Sequence, residues 1–238
     1  MSATPPRTAV VTGASSGIGL GVAESLVRAG YDVWMIARNP DRLQAAAAAV
    51  GAQWIAVDAA DEGSMQKALD RIGAVDLLVH SAGVFAARAT RKQTGQEFEE
   101  IVNTNLTGAY VASRAALSKM GPGGRIVLVS SVSGVDGHRW LTAYASSKAA
   151  VRMMAESMRA EVERDGISIT VLTLATVDTP MMKDIARPAI LVDDVSSAVL
   201  WLDSMHPRVR IPEIALRSAD DSPLGYRIAP EGDEDAFS

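Results

Sequence analysis

The chain has 238 residues, 48% of them hydrophobic and 21% charged, with a formal net charge of −5, proportions that suit a globular protein with one sizeable core. It has no cysteine and three scattered histidines, His80, His138 and His206, which excludes disulfides and thiolate chemistry and leaves no spacing suited to a metal. Residues 218–238 hold six acids and one base, leaving 22 acids and 22 bases in residues 1–217, so the body lacks a basic footprint for nucleic acid or an anionic membrane.

From the N-terminus, MSATPPR has no apolar leader core, and nowhere do the ~18 uninterrupted apolar residues needed to cross a bilayer occur; a cytoplasmic protein is expected. RTAVVTG then reads as a short β-branched strand. GIGLGVAESLVRAG follows with Ile18, Val22, Leu26 and Val27 at helical spacing and Gly30 as its stop. YDVWMIA is again strand-like, and Pro40 opens an alanine-rich helix at a position proline favours. QWIAVDA, VDLLVHSAG, GRIVLVSS and ISITVLTLA are further buried-strand candidates. Between them lie the helical patterns EFEEIVNTNLTGAYVASRAALSKM and TAYASSKAAVRMMAESMRAEVERDG. IPEIALR, residues 211–217, fits a last edge strand.

Strands apolar on both faces that alternate with long helices predict an α/β fold: a Rossmann-type doubly wound, mostly parallel sheet of about seven strands, helices on both sides. No linker interrupts the rhythm, so residues 1–217 form a single expected domain. Residues 218–238 are expected to form an acidic, flexible tail.

TGASSGIG joins the first strand to the first helix, and places Gly13, Ser15, Ser16, Gly17, Ile18 and Gly19 where backbone N–H groups at a helix start would cradle a pyrophosphate. No lysine follows the last glycine, so this is not a triphosphate loop. The second strand ends IARNP, with Ala37 where a carboxylate would hold an adenosine ribose 2′-hydroxyl, and then Arg38. A guanidinium suits a 2′-phosphate, so NADP(H) is expected over NAD(H); the plainer alternative is a solvated loop arginine.

Tyr144 and Lys148 stand four apart in a helical segment and so share one face. Taken alone, the pair is compatible with an ordinary surface contact. It is equally compatible with a phenol held near an ammonium, which would favour the phenolate and lower a pKa normally near ~10. Hydride transfer to a ketone builds charge on oxygen and needs such an acid. Ser131, at the end of GRIVLVSS, could polarise that oxygen.

In order along the chain stand TGASSGIG, HSAG at 80–83, VNTNLTG at 102–108, SSVSG at 130–134 and YASSK at 144–148. With these motifs the chain, from about Arg7 to Arg217, resembles the short-chain dehydrogenase/reductase family in its compact single-domain branch. The resemblance implies a carbonyl reductase or alcohol dehydrogenase with Ser131, Tyr144, Lys148 and Asn105 as the catalytic set. Asn105 would bend a helix and hold a water on the proton path, and Lys148 would reach the nicotinamide ribose. Asp58 would accept from the adenine amine, Ser81, Ala82 and Gly83 would let the adenine ribose lie against the fourth strand, and Val177 and Thr179 would meet the carboxamide. A small-molecule carbonyl or alcohol substrate is implied, and a homodimer or homotetramer packed through helices at 90–121 and 143–165.

The sequence leaves this pattern twice. His80 and Ser81 replace two asparagines, with His80 expected as a hydrogen-bonded structural substitute. Leu174 and Ala175 replace a proline–glycine pair before the nicotinamide turn. Val84, Phe85, Trp140, Met181 and Met182 are candidates for an apolar substrate pocket, while His138 and Arg139 could meet a polar substrate end or simply be solvated. A non-catalytic NADP(H)-binding sensor or interaction protein on the same fold is the alternative, supported by the altered turn, a short lid over 180–193 and the acidic tail.

Overall fold

A computed structural model describes residues 5–182 and 189–219. Seven strands form one sheet: β1 (Thr8–Thr12), β2 (Asp32–Ala37), β3 (Gln53–Ala56), β4 (Leu77–His80), β5 (Arg125–Ser131), β6 (Ser168–Leu174) and β7 (Glu213–Leu216). Their order is β3-β2-β1-β4-β5-β6-β7 and every pairing is parallel. The chain therefore reverses direction of travel between β1 and β4, where a doubly wound sheet opens a crevice at its C-terminal edge. IPEIALR does form an edge strand, as expected.

Side-chain alternation divides the core into two layers. Ala9, Val11, Leu77 and Val79 face α1 (Gly17–Arg28), α2 (Pro40–Val50) and α7 (Val192–Ser204). Val10, Leu78, Ile126 and Leu128 face α3 (Glu62–Ile72), α5 (Gly108–Leu117) and α6 (Thr142–Val162). The helix starts follow local rules: Asn39, Asp61 and Thr94 cap α2, α3 and α4 (Gly95–Val102) with their side chains.

The helix expected over EFEEIVNTNLTGAYVASRAALSKM is interrupted where the resemblance implied that Asn105 would bend it. Between α4 and α5 the residues Asn103–Thr107 form a π-turn, and Asn105 is buried inside it. Such single-turn insertions are frequent at functional sites. The expected tail lies, beyond Ala219, outside the described residues, as does most of the short lid, residues 183–188.

Candidate active site

The loop after β1 runs directly into α1, and unlike α2, α3 and α4 this helix starts without a side-chain cap or a first-turn acid. Its first N–H groups are thus left for an external anion. Gly13 is fixed by two constraints: its φ is +67°, and a Cβ there would come within 2.7 Å of the Ala82 backbone nitrogen. The loop is seated on the turn after β4, and Ser81 Oγ reinforces it by donating to the Thr12 carbonyl at 2.8 Å.

Along this loop runs a cleft of about 320 Å³ that includes Gly13, Ser15, Ser16, Gly17, Ile18, Gly19, Arg38, Asp58, Ser81, Ala82, Gly83 and Thr179. The expected cofactor residues from the loop, the second strand and the fourth strand therefore share one surface. An uncapped helix start, with a guanidinium and a carboxylate following the paired strands β2 and β3, fits an adenine dinucleotide. Arg42 lines the same cleft and was not singled out in the sequence. It stands four residues after Arg38 across a strand–helix corner, where its N–H donates to the Asn39 cap, and both residues line the cleft. Asp58 already accepts from the Ala60 N–H through Oδ1, which orients its carboxylate.

A second cavity of about 110 Å³ continues from the cleft and shares Ile18, Ser81, Gly83, Thr179 and Met181 with it. Ser131, Tyr144, Lys148 and Val177 line it, with Val84, Phe85, Met181 and Met182. Trp140 does not, contrary to expectation; the next residue, Leu141, and Val132 take that role. The reason is backbone geometry. Trp140 has φ +66°, which carries its ring away to lie under Arg139, with the guanidinium 4.8 Å from the ring centroid.

β5 ends at Ser131, whose Oγ accepts from the Ser133 N–H at 3.2 Å. The chain then passes Gly134, where a Cβ would stand 2.7 Å from the Lys148 carbonyl carbon. This close approach lets α6 pack directly on the strand end. Ser130 Oγ donates to the Lys148 carbonyl at 3.1 Å, and Lys148 Nζ donates to the Val129 carbonyl at 3.0 Å. The lysine side chain thus crosses beneath the cavity, 6% exposed, and burial brings its pKa down from 10.5 to about 8.

Asn105 ties this helix to the loop after β4. Its Oδ1 accepts from the Val84 N–H at 2.8 Å, and its Nδ2 donates to the Val84 carbonyl and to Ser147 Oγ, both at 3.0 Å. Ser147 in turn donates to the Tyr144 carbonyl at 2.7 Å. The π-turn is what aims the asparagine inward. Tyr144 packs edge-on against Phe85, ring centroids 5.0 Å apart, and Lys148 Nζ lies 5.8 Å from its ring centroid.

The Tyr144 phenol departs from the sequence expectation in one respect. Burial raises its pKa above the ordinary value, while the Ser131 hydroxyl acts in the opposite direction. Desolvation of the phenolate outweighs the hydrogen bond from Ser131. His80 behaves as expected: it is buried, Nδ1 meets Thr12 Oγ1 at 2.9 Å, and burial, with the Lys148 charge, pushes its pKa to about 3. It is a neutral structural residue. The unusual Leu174–Ala175 pair lines the catalytic cavity, and the Ala175 N–H donates to the Leu216 carbonyl at 2.9 Å, so sheet pairing continues through it.

Comparison with known proteins agrees with this geometry. Residues 7–189 match the model of the family described as short chain dehydrogenase, and the chain belongs to that family. It is similar to the 3-oxoacyl-[acyl-carrier-protein] reductase FabG of Vibrio harveyi, 33% identical over 219 residues, which cover 83% of this chain and 90% of that one. It is also similar to the 3-dehydrosphinganine reductase TSC10B of Arabidopsis thaliana, 36% identical over 186 residues, or 73% of this chain but only 56% of that relative's length. Among solved structures, an alcohol dehydrogenase from the archaeon Thermococcus sibiricus, complexed with 5-hydroxy-NADP, superposes with a TM-score of 0.82 at 28% identity, covering 91% of this chain and 98% of that one. The protein is thus a Rossmann-fold oxidoreductase of the short-chain type, built for a nicotinamide cofactor.

Proposed function

We propose that the protein is an NADP(H)-dependent oxidoreductase that moves a hydride between nicotinamide and a ketone or secondary alcohol, with Tyr144 as general acid/base. The dinucleotide supplies or accepts the hydride. Gly13 to Gly19 hold its pyrophosphate, Arg38 with Arg42 the 2′-phosphate, and Asp58 the adenine amine. Ser81 to Gly83 accommodate the adenine ribose, Lys148 meets the other ribose, and Val177 and Thr179 meet the carboxamide. Two relatives whose names make them reductases support reduction as the direction.

In reduction, Ser131 and Tyr144 donate hydrogen bonds to the substrate oxygen, and Tyr144 releases its proton as charge builds there. The raised pKa in the resting chain keeps the phenol protonated and ready to donate. Lys148 faces the phenolate that results, and Asn105 holds α6 and the post-β4 loop at the separation this requires. The apolar lining from Val84, Phe85, Leu141, Met181 and Met182 suits a small or medium apolar ketone. Tyr110 on α5 and Met153 on α6, 47% and 63% exposed, support a homo-oligomer packed through those helices.

The observation that carries the proposal is the joining of two spaces: the cavity of Ser131, Tyr144 and Lys148 opens into the cleft of Arg38 and Asp58. Tyr144→Phe tests it. The variant should lose at least about 100-fold in kcat, the usual contribution of a positioned acid, while still binding NADPH. Turnover retained within about tenfold would remove Tyr144 from the proton transfer.

A further inference from the structure

Beside the cavity of Ser131, Tyr144 and Lys148, the two loops that line it carry a set of exposed cations. The loop after β4 contributes Arg88, Arg91 and Lys92, and the loop before α6 contributes Arg139; all four are exposed. The two loops are fastened side by side, with the Arg88 N–H donating to the Trp140 carbonyl at 2.7 Å and the Thr90 and Thr142 hydroxyls 2.8 Å apart. Each loop also lines the cavity, through Phe85 on one side and Leu141 on the other. Arg88 is three residues from Phe85, a span of at most about 10 Å.

Two observations separate this rim from an ordinary solvated loop. The first concerns charge. Glu97 answers Arg88 at 3.5 Å and Asp136 answers Arg217 at 3.2 Å, but among the described residues no carboxylate pairs with Arg91, Lys92 or Arg139. The second concerns conformation. Among the described residues Trp140 is the one non-glycine with positive φ, +66°. That is a costly backbone state for a bulky side chain, of a kind that clusters at ligand clamps. Its effect is to present the indole face as a platform that fixes the Arg139 guanidinium, 4.8 Å above it, and so limits the side-chain entropy lost when the arginine engages a ligand.

We infer that Arg139, fixed over Trp140 and flanked by Arg88, Arg91 and Lys92, is an anion-binding rim, and that the substrate class is a carbonyl compound whose apolar body ends in a carboxylate or a phosphate. The apolar cavity takes the body, and the rim takes the charged end outside it. This deepens the reductase reading and rests on it for the identity of the reacting group.

The test separates binding from turnover. Octanoate, octyl phosphate and methyl octanoate carry the handle, or its neutral counterpart, without a reducible ketone, and their affinities for the NADP(H)-loaded protein are measured by calorimetry. The inference expects one of the two anions to bind about fivefold or more tightly than the ester, the effect of an ion pair at a solvent-exposed site. Which anion is preferred distinguishes a carboxylate from a phosphate handle. The preference should shrink with added potassium chloride and fall to about one in Arg139→Gln. Equal affinity for both anions and the ester, or a preference that survives Arg139→Gln, overturns the inference. Reduction of uncharged ketones, followed separately, shows whether the catalytic reading stands when the rim reading does not.

Discussion

Replacing Lys148 by methionine should abolish turnover and make the folded chain more stable at neutral pH. In the folded chain Lys148 has a pKa of about 8 against an ordinary 10.5, because its ammonium is buried and its nearest partner is a neutral carbonyl, that of Val129 at 3.0 Å. Near neutrality the ammonium is charged in both states, and at about 1.4 kcal/mol per pH unit between the two values its burial costs about 3 kcal/mol. Methionine has a similar length and no charge to desolvate. It leaves the Val129 carbonyl without its donor, which costs about 1 kcal/mol. The net expectation is a gain of about 2 kcal/mol, or roughly 4–8 °C in Tm for a domain of this size.

The sign against pH is equally definite. Between about 8 and 10.5 the unfolded chain binds more protons at this site than the folded one, so wild-type stability rises with pH across that window. The advantage of Lys148→Met should therefore shrink and vanish by about pH 10. Urea unfolding of both proteins at about pH 7 and about pH 10 measures it, and titrations common to both cancel in the difference. A variant less stable than wild type at neutral pH, or an advantage equal at the two pH values, would refute the reasoning.

Further substitutions test particular positions of the fold and cleft. Gly134→Ala should cost about 2 kcal/mol or more and depress kcat, since its Cβ would meet the α6 backbone at 2.7 and 2.8 Å, whereas Gly137→Ala, with nothing within 4 Å, should be nearly neutral; equal behaviour of the two in urea unfolding and steady-state kinetics would contradict this. Asn105→Ala leaves the Val84 N–H unpaired and should destabilise by about 2 kcal/mol, and a loss under about 0.5 kcal/mol in the same unfolding assay would show the clamp to be dispensable. Arg42→Ala should weaken adenosine 2′,5′-bisphosphate about tenfold in calorimetry, with 5′-AMP unaffected, and Arg38→Asp should turn coenzyme preference toward NADH; equal losses for both nucleotides would mean that Arg42 does not meet the 2′-phosphate.

How much of this was legible in the sequence depended on the range of the cause. All seven strands read correctly because each is a short apolar run ended by turn residues, and parallel pairing follows from helices in between. The motifs that proposed Ser131, Tyr144, Lys148 and the phosphate loop are equally local, two at strand ends and one within α6, and the structure brings Ser131, Tyr144 and Lys148 to one cavity. What stayed hidden is non-local. EFEEIVNTNLTG carries an unbroken helical period, and the bend at Asn105 was marked by the family resemblance rather than by the pattern itself, which does not specify a π-turn. Arg42 reads as a surface residue on a helix start until the fold lays α2 beside the cleft. Trp140 reads as a pocket aromatic because side-chain type does not disclose a left-handed backbone. The Tyr144 phenol was expected below its ordinary pKa because the helix spacing exposes the Lys148 partner, whereas desolvation by the surrounding fold leaves no mark in the spacing.

The departures at 80 and 81 are better understood as one substitution than as two. Thr12 Oγ1 stands 3.4 Å from the Ala82 N–H, from which it accepts, and 2.9 Å from His80 Nδ1. The threonine hydroxyl thus meets both the Ala82 N–H and the neutral imidazole, the hydrogen between Thr12 and His80 lying on whichever atom the tautomer dictates. Ser81 meanwhile donates to the Thr12 carbonyl. Both new side chains therefore close on the same threonine, and together they remake the link between β1 and β4 beneath the phosphate loop. The imidazole cannot double as a base there: Nε2 is buried with no hydrogen-bond partner among the described residues, and protonation is displaced to about pH 3 by burial and by the Lys148 ammonium. His80, beneath the phosphate loop, is consequently uncharged across the neutral range. Lys148, whose folded pKa of about 8 falls between pH 7 and 9, is the group we propose for any ionisation of turnover found in that interval.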